Sequence, residues 1–357
     1  MENVSIVGVD LSKNLMHAVY MSKNGTIVKR KKYQIEYYHH LLRDLPPRVP
    51  VCAEACSGSH HFARLMREHY HEAKLIPPQY VKPYVQRNKN DYNDAAAIAE
   101  YGSRKKAKFV PVKSEYIQGI QSLHTSRSQL VATRTQYINC IRGTLLEFGI
   151  RIPQGVSSFR NYIRDTYYTD KRVHQQARIA VDALLNIYNT IENTIDEIEK
   201  KIHKLADSNK TVKRILTIPG IGKLTATALI TVSGDPKVFK NGRTFSAHLG
   251  LTPRQDTTAD NTHLLGISKQ GNKYVRTLLT VCARTLIIKA LKTEVSSITG
   301  HSEYKSNDRM SLWIRKLRAN NIHTNKICIA IANKLARIAY RIIVSNGGEY
   351  DAKLANS

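Results

Sequence analysis

Acidic side chains are scarce in this chain: 28 Asp and Glu stand against 55 Lys and Arg in 357 residues, a formal charge of +27. So broad a positive excess disfavours cationic partners and points to a polyanion, nucleic acid above all. It also makes each surviving carboxylate informative. Cysteine is sparse as well. Cys52, Cys56, Cys140, Cys282 and Cys328 form an odd, scattered set in a chain large enough not to need covalent staples, which excludes a disulfide framework and suits a reducing compartment. Cys52 and Cys56 with His60 and His61 offer zinc-type ligands, but no second cysteine pair follows at finger-like distance, and two buried thiols are expected instead. No apolar run approaches the roughly 20 residues of a membrane span. The opening Met-Glu-Asn-Val-Ser-Ile has neither a basic leader nor a long apolar core, so a cytoplasmic, nucleoid-associated protein is expected. Internal repeats and low-complexity tracts are absent too.

The length admits two or three compact units. Residues 4–9, 15–20 and 26–31 read as three strands joined by Ser-Lys-Asn and Lys-Asn-Gly turns, an antiparallel meander. Further strands at 49–54 and 74–76 flank a helix near 62–69, and Pro77 and Pro78 end the last strand. Three hairpin-linked strands followed by alternating helix and strand is the element order of an RNase H-like (RuvC-like) mixed sheet. From 114 to 148 and from 172 to 205 the chain reads as helix. In the second stretch Leu184, Tyr188, Ile191, Ile195, Ile198, Ile202 and Leu205 alternate spacings of four and three, a coiled-coil seam. That seam serves either an internal core or a dimer or tetramer. Composition shifts give an α/β plus all-α organisation: a RuvC-like domain over 1–113, a helical coiled-coil region over 114–206, a mostly helical C-terminal domain over 207–348, and a tail over 349–357.

Asp10 directly follows the apolar run Ile-Val-Gly-Val, where an ionisable group in a buried sheet calls for a cation. Glu54 repeats the pattern at the end of Val-Pro-Val-Cys-Ala, so two strands each deliver a carboxylate at a carboxyl end, where open sheets place their sites. Asp91 and Asp94 open an alanine-rich helix and, three apart, share one face. Helix capping explains that pair alone, since acids favour a helix N-terminus. Taken with Asp10 and Glu54, the four can hold Mg²⁺ or Mn²⁺, in the limit two ions about 4 Å apart that polarise a phosphodiester.

Farther along, Ile218-Pro-Gly-Ile-Gly222 followed by Lys223 has the form of a helix-hairpin-helix, in which Gly220 and Gly222 let backbone N–H groups approach a phosphate. A plain Pro-Gly turn between packed helices is the alternative. From Trp313 to Ile343 seven Lys or Arg occur with no acid. There Lys334, Arg337 and Arg341 share one helical face, opposite Ile327, Ile331, Leu335, Ala339 and Ile342, and the basic face reads as a phosphate track. Ser268 lies in an expected loop beside Lys269, ahead of Asn272 as a helix cap and a helix bearing Lys273, Arg276 and Arg284. Locally it reads as a turn or capping serine.

Seven blocks, Gly8-Val9-Asp10, Glu54-Ala55-Cys56, Lys89-Asn90-Asp91 with Asp94-Ala95, 110–114, 218–222, 250–254 and 266–271, fall in one order over roughly residues 4–345. In that order the chain resembles the DEDD transposases of bacterial insertion sequences, the RNA-guided family related to the pilin-gene-inverting invertase. It departs from them at Asp256-Thr-Thr-Ala-Asp-Asn261, where such proteins tend to carry a Ser/Gly-rich turn. The resemblance implies that Ser268 is a nucleophile forming a covalent phosphoserine link to DNA. It also implies a metal site of Asp10, Glu54, Asp91 and Asp94, donor and target DNA as partners, and a structured guide RNA that selects both. A Holliday-junction-type nuclease using the same acids with water, and no serine, is the competing expectation.

Overall fold

A computed structural model describes residues 3–85, 90–234, 236–258, 261–298, 308–345 and 347–350. Lys89, residues 259–260 and the tail beyond 350 lie outside the described residues. The chain divides into two compact units, Met1–Glu115 and Tyr116–Ser357.

The first unit is mixed α/β. Strands β1 (Val4–Leu11), β2 (Leu15–Ser22) and β3 (Ile27–Gln34) form the expected meander, followed by helix α1 (Tyr38–Asp44), β4 (Val51–Glu54), α2 (Ser59–Glu68), β5 (Ala73–Ile76), the short α3 (Pro78–Val81) and α4 (Asp91–Gly102). Sheet order is β3-β2-β1-β4-β5, antiparallel on the β2 side of β1 and parallel on the β4 side. The central strand is covered on both faces, which is why it reads as a continuous apolar run rather than an alternation. Val7, Val9, Val51 and Ala53 point into a core with Leu41 of α1 and Phe62 and Met66 of α2. Their neighbours Ile6 and Cys52 point the other way, toward Ile98 and Ala99 of α4. The two-residue period of strands therefore puts Gly8, Asp10 and Glu54 on the α4 face as well.

Helix α4 begins where Asn90 accepts a hydrogen bond from the Tyr92 N–H at 2.9 Å. The cap is Asn90, so Asp91 and Asp94 lie inside the first turns and are not needed to cap the helix. Along α4, Ala95 and Ala99 permit a close approach to β1. A Cβ on Gly8 would lie 2.2 Å from the Ala95 carbonyl oxygen and 2.6 Å from the Ala99 nitrogen.

The second unit is mostly helical. It comprises α5 (Glu115–Leu146), α6 (Val156–Tyr162), α7 (Gln175–Ser208), α8 (Lys210–Ile215), α9 (Lys223–Ser233), α10 (Gly242–His248), a hairpin of β6 (Pro253–Thr258) and β7 (Asn261–Ile267), then α11 (Lys273–Ile298), α12 (Arg309–Ala319) and α13 (Thr324–Val344). Arg127 pairs with Glu199 at 2.6 Å and Arg134 with Glu192 at 3.2 Å, which runs α5 and α7 antiparallel. Of the seam, Tyr188, Ile191, Ile195 and Ile202 are buried within the single chain, and α7 shares a core with Ile138, Ile141 and Leu145 of α5. The seam is thus filled without a second copy. A larger core joins α8 to α13, with α9 buried along nearly its whole length. Within it His124 bonds Thr227 Oγ1 at 3.0 Å and the Tyr274 hydroxyl at 3.1 Å, and burial takes its imidazole down to about 4. Among the described residues no helix is long and apolar enough to cross a membrane.

One expectation is corrected: Cys52 is buried, but Cys56 is exposed, because it follows β4 in the turn toward Gly58 rather than continuing the strand. If α4 rests on β1 as described, Gly8→Ala should lower unfolding stability by about 2 kcal/mol or more through overpacking. Urea denaturation checks it; an unchanged midpoint would show that the helix does not pack there.

Candidate metal centre and serine loop

The β1–β2 register sets Asp10 directly opposite His17, so both side chains stand on the α4 face. Above them the first turn of α4 delivers Asp91 and Asp94. Ligand oxygens of Asp10, Asp91 and Asp94 all lie within 4.8 Å of one another. Glu54, at the end of the adjacent strand β4, is near enough to act on Asp10 electrostatically but is not one of these three. Burial first, then Asp94, Asp91 and Glu54, push the Asp10 carboxyl up from its ordinary 3.8 to about 6, against an opposing pull from His17. A half-buried carboxyl raised by three other acids is a site short of positive charge.

His17 carries the second sign of a missing partner. It is 7% exposed, its Nδ1 has no hydrogen-bond partner, and that atom lies 3.5 Å from Asp91 Oδ2. The Tyr92 ring packs edge-on against it at 5.0 Å. Oxygen donors in this arrangement fit a hard divalent cation such as Mg²⁺ or Mn²⁺. The Cys52, Cys56, His60 and His61 set forms no metal-binding group among the described residues, and His60 Nδ1 instead accepts the Lys113 N–H at 3.3 Å. Cys56 is nevertheless close enough to the centre that Glu54 and Asp10, after burial, raise its thiol.

Ser268 lies in the loop between β7 and α11, directly after the strand ends. Its N–H donates to the Thr252 carbonyl at 2.9 Å, closing the base of the hairpin, and its hydroxyl has no partner among the described residues. It does not cap α11; Asn272 does, accepting from the Val275 N–H at 3.0 Å. The turn after the serine is tightly constrained. Lys269 adopts φ 56°, a left-handed conformation that costs a non-glycine residue roughly 1–2 kcal/mol. Gly271 has φ 75°, and a Cβ there would lie 1.9 Å from the His248 carbonyl oxygen. Arg276 Nη1 donates to the carbonyls of Leu249 and Gln270, each at 3.0 Å, so this guanidinium clamps the loop. Lys269, the next residue, and Lys273, at the start of α11, are exposed.

Of the remaining phosphate-binding candidates, Gly220 has φ 82° and Gly222 precedes α9 without a side-chain cap. Lys223 pairs with Asp207 at 2.7 Å on the surface. Lys334, Arg337 and Arg341 lie along α13 opposite its buried face, as their spacing requires.

An acidic metal-type centre at a sheet end, in a chain this basic, marks an enzyme that works on nucleic-acid phosphates. Comparison with known proteins makes the class specific. Residues 212–296 match the sequence pattern described as "Transposase IS116/IS110/IS902 family", and residues 7–150 match that of the DEDD transposases of IS110 elements. The transposase for insertion sequence element IS1328 of Yersinia enterocolitica is 36% identical over 350 residues, covering 97% of this chain and 98% of the relative. The transposase for IS1111A of Coxiella burnetii is 33% identical over 348 residues, with 96% and 90% covered. At greater distance, a pilin gene-inverting protein of Moraxella lacunata is 22% identical, with 95% and 96% covered. The chain belongs to the IS110/IS116 family of transposases, enzymes that cut and rejoin DNA.

Two outcomes follow from this geometry. A carboxyl whose folded value is raised from 3.8 to about 6 holds its proton more tightly in the folded state. Its contribution to the metal-free protein's stability is therefore fully present below about pH 4 and is lost as pH rises to about 6 and beyond. Melting curves between pH 4 and 7 should show that loss, Mn²⁺ should reverse it at pH 7, and Asp10→Asn should remove both effects; a pH-independent melt with no Mn²⁺ response counts against the centre. Independently, Gly271→Ala should displace the turn that follows Ser268 and raise the proteolytic susceptibility of the second unit, while leaving the Mn²⁺ response of the first unit intact.

Proposed function

We propose that the protein is an insertion-sequence recombinase that cleaves and rejoins DNA through a phosphoserine intermediate at Ser268, with divalent-metal-dependent carboxylates, on targets chosen by a structured non-coding RNA. The observation that carries the metal-dependent half is the gathering of Asp10, Asp91 and Asp94, with Asp10 short of positive charge. The sheet order β3-β2-β1-β4-β5, with its acids at the carboxyl ends of β1 and β4, supports reading the first unit as RNase H-like, of the RuvC kind. Bound to Asp10, Asp91 and Asp94 with Glu54 alongside, Mg²⁺ or Mn²⁺ supplies Lewis-acid polarisation of the phosphodiester.

The chain's own groups do the rest. The Ser268 hydroxyl loses its proton and its Oγ bonds to phosphorus, while the phosphodiester P–O bond breaks and the departing strand end takes a proton. A free hydroxyl of the second strand then attacks the phosphoserine, and Ser268 leaves as the hydroxyl again. Lys269 and Lys273 flank the serine and stabilise the charge that develops on phosphorus. Arg276 positions the loop. Elsewhere, α8, the Pro219-Gly220 turn and α9 act as a helix-hairpin-helix, in which Gly220, Gly222 and Lys223 meet backbone phosphates, and Lys334, Arg337 and Arg341 form a phosphate track. The guide RNA and the choice of serine rest on the family resemblance. Joining two DNA ends calls for more than one copy; since the α7 seam is filled internally, contact would fall on its exposed Ile179 and Ile187. The setting is the bacterial cytoplasm, at the nucleoid.

Two variants separate this mechanism from a water-using nuclease. With donor and target DNA, Mg²⁺ and copurified RNA, Ser268→Ala should abolish a denaturation-resistant protein–DNA adduct, and Asp10→Ala should abolish cleavage itself. Full strand exchange by Ser268→Ala would falsify the serine mechanism.

A further inference from the structure

The second unit holds a cavity of about 1100 Å³ between α10, α12 and α13. Five cations line it: Lys240, Arg243, Lys334, Arg337 and Arg341, with Glu349 as the sole carboxylate among its described lining residues. Trp313 forms part of the wall, and Lys334 Nζ lies over its ring at 4.6 Å. Like charges gathered in a recess repel one another unless an anion joins them. Burial, and then Arg337, push the Lys334 ammonium below its ordinary value, so that the group is poised to gain from a counter-ion.

We infer that this cavity takes a short single-stranded stretch of nucleic acid, with its phosphates on the cations and an unstacked base against Trp313. The inference rests on the nucleic-acid reading above and specifies the form of the strand. A phosphate track on a convex helix face serves a duplex. A recess of about 1100 Å³, just above the roughly 300–1,000 Å³ range of ligand pockets, has room for a short stretch of single strand but not for a double helix. Cations that follow a backbone beside an aromatic platform are how single strands are held without reading sequence. A phosphate entering the cavity pairs with Lys334, and the Trp313 face that the ammonium covers becomes available to a base.

Trp313 is the chain's one tryptophan, so the emission of the full-length protein reports on this cavity directly. Titration with oligothymidine and with oligouridine of equal length should quench it saturably, and a DNA hairpin duplex of the same nucleotide count should bind about tenfold or more weakly. The tighter of the two single strands identifies whether DNA or RNA fills the recess. Lys240 and Arg243 are exposed, so Lys240→Gln with Arg243→Gln leaves the core intact and should weaken the single strand about tenfold and flatten its salt dependence. Trp313→Phe, followed by anisotropy of a labelled strand, should also weaken binding. Absence of quenching by both strands, equal affinity for the hairpin, or unchanged binding by the double variant overturns the inference. Protein that forms no serine adduct but is still quenched by single strands overturns the mechanism above and leaves the cavity's role standing. Adduct formation without quenching does the reverse.

Discussion

Contact between α4 and β1 leaves no room for a side chain at Gly8, and the acidic centre depends on that contact. Small residues on the facing surfaces, Gly8 below and Ala95 and Ala99 above, let the helix backbone come down onto the strand. The approach drops the first turn of α4 onto the carboxyl end of β1, so Asp91 and Asp94 meet Asp10. The sheet supplies the rest: strand alternation turns Asp10 and Glu54 to the same face, and the β1–β2 register adds His17. Mutual repulsion among the carboxylates opposes the arrangement, and core packing on both faces of the sheet holds it in place. Strain of this kind, kept by surrounding structure, is what a preorganised cation site requires.

The serine loop is built on a different principle. It contains no buried charge; backbone geometry fixes it. Gly250 and Gly271 cross so closely that their α-carbons sit against opposing carbonyls, Lys269 is held left-handed, and Arg276 ties two carbonyls together. Such a loop has few alternative conformations, and a hydroxyl on it presents in one place.

Much of this was visible in the sequence, for identifiable reasons. Asp10 and Glu54 stood out because each interrupts an apolar run, and Asp91 and Asp94 because three-residue spacing on an alanine-rich helix puts both on one face, although capping explained that pair equally well until Asp10 and Glu54 were set beside it. His17 did not. It sits inside β2, buried along nearly its whole length, and nothing in Leu-Met-His-Ala-Val marks one position as facing a carboxylate; only the strand register does. The β6–β7 hairpin escaped notice for the opposite reason. Leu264 and Leu265 are exposed, so no apolar–polar alternation betrays a strand. The α7 spacing showed a seam but not its partner, since a heptad pattern is the same whether the facing surface belongs to this chain or to another. The strand end at Glu54 was legible, but the exposure of Cys56, two residues beyond it, was not, because nothing in Ala-Cys-Ser-Gly marks which way the turn presents its thiol.

The β6–β7 ribbon is closed at its base by Ser268, and none of its residues whose burial is described is buried, unlike the helices around it. Substitutions along it leave the core untouched, so the segment can diverge between relatives at little thermodynamic penalty. Of the departure from the family pattern at Asp256 to Asn261, the described residues Asp256, Thr257, Thr258 and Asn261 fall on this ribbon. Within one unit, then, the chain pairs a loop held by left-handed Lys269, close-packed Gly271 and the Arg276 clamp with an exposed arm, and lineages can differ in the arm while keeping the loop.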